Sequence, residues 1–218
     1  MKSLLTVLFI SFFIHAASAQ TKVLLIEGVS NHNWQQRSKL LKAHLSADPS
    51  FIVETSITPP TANHKAWKQW RPKFSNYDVV ISGYNDIGFK GGLRWPAEVE
   101  KSFEQFVENG GGFYAFHEAN NAFADWAEYN KMIGLGWRNK DAGKAIVINA
   151  DESLKVIPTA EGANTGHGKR LNVEVKRLAD DHPIYAGLPN SWMAADLEVY
   201  RYARGPAENI SILSYAKD

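Results

Sequence analysis

Apolar residues enter this chain in short blocks separated by polar, loop-forming stretches. Five blocks read as strands: "KVLLIEG" (residues 22–28), "FIVETSI" (51–57), "YDVVISG" (77–83), "GFYAFH" (112–117) and "KAIVINA" (144–150). Near-continuous apolar runs of this kind suit strands covered on both faces. Between them the spacing turns helical. Trp34, Leu40, Leu41 and Leu45 predict a helix over residues 33–47. A short helix is expected over 64–70. Residues 96–109 predict a helix with Pro96 near its first turn and Gly110 as its stop, and residues 122–133 predict another. Strands alternating with helices predict an α/β domain with a three-layer, doubly wound, mainly parallel sheet.

Beyond Asp151 the pattern changes. "LNVEVKRL" (171–178) alternates apolar and polar residues, as an edge or antiparallel strand does. "DLEVYRYA" (196–203) and "NISILSYA" (209–216) are further short strand blocks. Antiparallel additions are therefore expected toward the C-terminus. The strand signal of the last block covers residues 210–215 and only Ala216, Lys217 and Asp218 follow it, so a domain truncated at its C-terminus is expected. There is no repeat and no linker. Residues 20–218 read as one domain.

The first 19 residues read differently. A basic Lys2 precedes an almost wholly apolar run over residues 4–13, and Ala17-Ser18-Ala19 forms a small-x-small cleavage site. This is the pattern of a secretory signal peptide cut after Ala19. The run is too short for a permanent membrane span, and no later segment approaches one. An exported, soluble protein, periplasmic or extracellular, is expected. Lys+Arg number 24 against 23 Asp+Glu, and loss of Lys2 with the leader brings the two into balance. With no basic cluster, nucleic acid is not an expected partner. The chain has no cysteine. That excludes disulfides, a cysteine nucleophile and thiolate metal ligands.

In open parallel α/β sheets, ligands bind beyond the carboxyl ends of the strands. The first strand is followed by His32, Asn33 and Trp34, and the third by Tyr84, Asn85 and Asp86. The fourth is followed by His117, Glu118, Asn120 and Asn121. His167, in the glycine-flanked loop "NTGHGKRLNV", can reach the same edge, whereas His44 reads as a surface group, His64 as a helix cap or surface group, and His182 as a solvated loop residue. Imidazole serves both proton transfer and metal ligation. Two or three histidines with a carboxylate can hold a divalent metal, but no HExxH or HxH spacing is present, so such ligands would come from distant segments. Asp196 and Glu198 are two apart and, on a strand, would face one side as an acid/base or metal-ligating pair. Trp34 and Trp95 lie near strand-end loops, where an indole can stack on a sugar ring. The competing reading of His117 is a hydrogen-bonded histidine at a buried corner.

Several blocks together carry a family resemblance. "VLLIEGVSNHNW", "YDVVISGYN", "FEQFVENGGGFYAFHEANNAF", "WAEYNKMIGLGW", "DHPIYAGLP" and "DLEVYRY" resemble the trehalose-utilisation (ThuA-like) family across residues 22–215. The resemblance implies a flavodoxin-like, class I glutamine-amidotransferase-like fold. Those amidotransferases carry a cysteine at the strand-to-helix elbow, where this chain has Ala115-Phe116-His117-Glu118-Ala119. Thioester amide hydrolysis is thus excluded. Two departures from the family pattern stand out. Glu118 replaces the small polar residue common after the corner histidine, and "GLGWRNKDAG" lacks a histidine the family tends to carry there. The family also tends to continue with a further strand, a glycine-rich turn and a tryptophan-containing helix.

The resemblance implies a carbohydrate or keto-sugar ligand. The expected activity is glycoside or 3-keto-sugar chemistry, with His117 and Glu118 as catalytic residues and acid/base or metal-assisted steps. His32, Asn33, Trp34, Tyr84, Asn85, Asn120, His167, Asp196 and Glu198 are the expected substrate-binding residues. The alternative is a non-catalytic sugar-binding or scaffold module on the same fold.

Overall fold

A computed structural model describes residues 19–89, 92–178 and 182–217. The expected leader therefore lies, up to residue 18, outside the described residues. The chain is mixed α/β. Strands β1 (Thr21–Glu27), β2 (Phe51–Ile57), β3 (Val79–Ser82) and β4 (Gly112–Ala115) form a parallel sheet in the order β2-β1-β3-β4. Val23 pairs with Val53 on one side and Val79 on the other, and Val79 pairs with Gly112. The last five residues of β1 are all buried, as its unbroken apolar run requires.

Successive side chains of β1 and β3 feed two cores. Leu24, Ile26 and Val80 join an aromatic cluster that includes Trp70, Phe74, Trp95, Phe103, Phe123, Trp126 and Tyr129. Val23, Leu25, Ile81 and Val53 form a smaller cluster with Leu41 and Leu45 packed against it. The period of two along a strand explains the split.

Helix α1 (Trp34–Ser46) is capped by Asn33, whose side chain accepts a hydrogen bond from the Gln36 amide at 3.1 Å. It buries no residue fully, and Leu40 faces solvent. Helix α2 (Ala97–Glu108) is the stronger amphipath. Val99, Phe103 and Phe106 lie at i, i+4 and i+7 and are all buried. Burial of each phenylalanine contributes about 1.5–3 kcal/mol. Gly110 ends the helix at φ 90°, and the Gly111 amide reaches back to Phe106 O at 2.9 Å in a Schellman-type closure.

The expected helix over residues 122–133 is shorter. Residues His117–Asn121 wind as a 3-10 turn, and helix α3 is confined to Ala127–Ile133. Phe123 takes φ 53° and gives its amide to the buried Asp86 carboxylate at 3.1 Å, which holds the segment before Trp126 out of helical register.

From residue 144 onward the pairing becomes antiparallel. Strand β5 (Lys144–Ile148) does not extend the parallel sheet. It lies between β6 (Leu154–Ile157) and β11 (Arg204–Gly205). Strand β8 (Leu171–Arg177) lies between β9 (Ser191–Leu197) and β12 (Ser214–Ala216). Strand β7 (Gly166–His167) pairs with β10 (Tyr200–Arg201). The single strand expected over 196–203 is thus split. Asp196 takes φ 53°, a left-handed conformation that breaks the extended run, so Asp196 and Leu197 close β9 and Tyr200 opens β10. Among the described residues no helix is long and apolar enough to cross a membrane.

Candidate functional site

The order β2-β1-β3-β4 reverses direction between β1 and β3, the kind of switch point beside which α/β sheets bind ligands. Three segments meet there. The loop after β1 carries Ser30 and His32. The loop after β3 begins at Gly83. The corner after β4 carries His117 and Glu118. The Phe116 amide donates to Ser82 O at 2.9 Å, holding the end of β4 against β3. His117 then takes φ 45°. A non-glycine residue held left-handed costs about 1–2 kcal/mol. The corner is fixed by Asn120, whose Nδ2 donates to His117 O at 2.5 Å and whose Oδ1 accepts from the Trp137 amide at 3.0 Å.

Adjacent residues at this corner face opposite surroundings. Glu118 is 1% exposed. Its Oε1 accepts from Ser30 Oγ at 2.7 Å and pairs with Arg37. Arg37 also pairs with the buried Glu27 and donates to Gly83 O at 3.0 Å. One guanidinium from α1 therefore ties the ends of β1, β3 and β4 together. Burial pushes the Glu27 carboxyl above its ordinary value, against the pull of Arg37. Glu118 Oε2 is buried and has no hydrogen-bond partner among the described residues.

His117 projects outward beside His32. Their ring centroids are 4.8 Å apart at an interplanar angle of 56°. Partial burial lowers the His117 pKa first. His32, Arg37 and Arg170 add to that, while Glu198 opposes it. At neutral pH the imidazole is thus uncharged, with a lone pair available.

His117 lines a cleft of ≈ 420 Å³ with Asn120, Arg170, Asp196, Leu197, Glu198 and Tyr200. Arg170 bridges both carboxylates, with Nη1 3.1 Å from Asp196 and Nε 3.1 Å from Glu198. That contact holds the Glu198 carboxyl below its ordinary range, so it is a carboxylate at neutral pH and not a proton donor. An aromatic wall stands beside it. Tyr200 lies 4.9 Å from Trp137, edge to face, and is stacked at 14° with His167. Burial pushes the Tyr200 phenol up, so it stays protonated and can donate a hydrogen bond.

Residues 22–217 match the family described as trehalose utilisation. The chain belongs to the trehalose-utilisation (ThuA) family. Membership carries a role in trehalose utilisation or related carbohydrate metabolism. The chain is similar to a ThuA-like protein from Parabacteroides merdae, at 33% identity and TM-score 0.80. That alignment covers 90% of this chain and 68% of the other. A second ThuA-like structure, from Bacteroides uniformis, shares the fold at 18% identity and TM-score 0.55, covering 92% of this chain and 69% of that one. Comparison with curated proteins gives no match.

Within this ThuA-family chain, folding sorts the expected site residues into two groups. His32, His117, Glu118, Asn120, His167, Asp196 and Glu198 come together at or beside the cleft. Four others do not. Asn33 caps α1, and Trp34 opens that helix away from the cleft lining. Tyr84 is fully buried, stacked on Phe123, and donates its hydroxyl to Leu93 O at 2.5 Å. Asn85 is buried and donates to Asn31 Oδ1 at 2.7 Å, bracing two loops. Trp95 is also a core residue, 2% exposed, and offers no sugar-stacking face. Asp196 and Glu198 do lie side by side, but Arg170 between them makes an ion-paired cluster rather than a free acid/base pair. Arg37, Arg170 and Tyr200 were not picked out by sequence reasoning. Arg37 follows His32 by five residues at the start of α1, and that position at a strand-to-helix junction is the signal that marks it.

Proposed function

We propose that this chain is an exported carbohydrate-catabolism protein that acts on a glycoside, in particular a 3-keto-glycoside, with His117 at the reacting carbon. One observation carries the reading. His117 is held in a left-handed corner at the carboxyl edge of the sheet, with an uncharged imidazole facing a cleft lined by an aromatic ring, an amide and an ion-paired carboxylate cluster. Tyr200 offers a ring face for pyranose C–H groups. Asn120, Arg170 and Glu198 offer hydroxyl partners.

A 3-keto group acidifies the hydrogen on the neighbouring carbon, C2. A base removes that proton, and the C–H electron pair passes into an enolate. The pair then forms a C1=C2 double bond as the C1–O bond breaks, and the departing oxygen takes a proton. Water adding across the double bond returns a free sugar. The imidazole of His117 can accept the C2 proton itself, or it can hold a cation that polarises the keto oxygen. Glu118, locked to Ser30 and Arg37, acts beneath the corner. Export is part of the proposal and rests on the leader-like residues 1–19. Purified secreted protein whose first residue is Gln20 is the expected result.

The reading is tested by incubating the protein with 3-keto-trehalose and related keto-disaccharides and following free sugar release. Release is expected with the keto-sugar and not with the parent disaccharide. No turnover of any keto-disaccharide, alongside micromolar binding of unmodified sugar, favours the second reading, a sugar-binding module. The observation behind that alternative is Arg170, which ion-pairs with both cleft carboxylates and keeps them from serving as the proton donor to the leaving oxygen.

A further inference from the structure

We infer that His32, His117 and Glu118 form a binding site for a first-row divalent cation such as Zn²⁺. One ligand atom from each of the three lies within 4.8 Å of the others. A second observation is independent of that spacing. Glu118 is among the most buried side chains of the molecule, and its Oε2 has no hydrogen-bond partner among the described residues. A buried carboxylate oxygen without a partner is costly, and a cation removes that cost.

The donor set fits such an ion. Two imidazoles and one carboxylate, with the cleft supplying open positions, match the three-ligand pattern of catalytic rather than closed structural sites. Nitrogen donors favour Zn²⁺ and its first-row neighbours over Mg²⁺ or Ca²⁺, which prefer all-oxygen shells. At about 2.1 Å from an ion, tetrahedral ligands lie about 3.4 Å from one another. The present separations must therefore close by up to about 1.4 Å. His32 and His117 are both exposed and can do this by side-chain rotation. The shell behind the ligands is already built. Ser30 and Arg37 hold Glu118 through Oε1 and leave Oε2 free, the outer support that orients a metal-bound carboxylate. Arg37 is shared with Glu27, so one guanidinium serves two carboxylates.

With the ion bound, His117 would be its ligand rather than the base: the ion would polarise the keto oxygen as a Lewis acid, and the C2 proton would pass to the Glu198 carboxylate in the cleft lining. That catalytic role rests on the carbohydrate reading above. The binding site itself does not.

The test uses the full chain, stripped with a chelator and titrated with Co²⁺, following visible absorption and bound metal after dialysis. One equivalent of Co²⁺, displaced by Zn²⁺, is expected. His32→Ala removes an exposed side chain and should weaken Co²⁺ binding by roughly 10²-fold or more, since even outer-shell changes cost 10–100-fold. Glu118→Gln keeps the shape and should also weaken it, whereas His44→Ala, in the last turn of α1, should not. Absence of stoichiometric Co²⁺, or a His32→Ala variant that binds like the parent, overturns the site. Keto-sugar turnover by protein that binds no metal removes the site and leaves the carbohydrate function standing. Co²⁺ held by these residues without turnover of any keto-sugar supports the site and removes the function.

Discussion

At the scale of the residue, the corner works by separating neighbours. His117 faces the cleft, while Glu118 is buried against Ser30 and Arg37. The lowered pKa of His117 has a definite sign. Its folded value lies below the ordinary 6.5, so the unfolded chain binds that proton more readily. His117 therefore favours folding fully above about pH 6.5. That contribution is lost as pH falls through the folded value. In metal-free protein, an NMR titration should place the imidazole below 6.5, and a value at or above it contradicts the description. Arg37 is the second key residue. Arg37→Met leaves Glu27 and Glu118 buried without their cation and should cost about 3–5 kcal/mol, read as a lowered denaturant midpoint. Of these residues only the histidines and Glu118 were legible in the chain. A histidine at the end of an apolar strand signals its own placement. An arginine gains its meaning from partners on other strands, which periodicity cannot reveal.

At the scale of the element, the strands were legible and their partners were not. Unbroken apolar runs in β1 and β3 announce burial on both faces. The run in β5 looks the same locally, yet it pairs antiparallel with β6 and β11, because pairing is decided by distant segments. Strand β9, "SWMAADL", carries too mixed a pattern to read, and Met193 on it is exposed. The helix expected over residues 122–133 shortens to Ala127–Ile133 because Phe123 and Trp126 serve the core from irregular backbone. Asn33 shows the converse. Its position suggested a ligand contact, but a helix needs an acceptor at its first amides. Asn33→Ala should cost about 1 kcal/mol by loss of the α1 cap, with little effect on sugar binding. A calorimetric Tm read beside a binding isotherm separates the two effects.

At the scale of the molecule, the parallel sheet is what brings distant residues to one edge. Residues 30–37, 83 and 117–118 meet because β1, β3 and β4 end side by side. The antiparallel C-terminal strands then set Arg170, Glu198 and Tyr200 across from them. The aromatic core under α2 holds this frame, so Phe103→Ala should lower stability by about 3–5 kcal/mol. Charge across the cleft also shapes its ligand. Arg170 is matched by two carboxylates, so among the described residues the lining has no unpaired cation to meet a phosphate. Neutral sugars should bind more tightly than their phosphate esters, and the reverse order in a calorimetric series contradicts that picture.

The central claim is that His117 acts at the reacting carbon of a keto-sugar. Its most direct measurement compares kcat/KM of the parent and His117→Ala on a 3-keto-disaccharide at neutral pH. The predicted result is a loss of roughly 10²–10⁴-fold with sugar affinity little changed. Equal rates in a folded variant contradict the account.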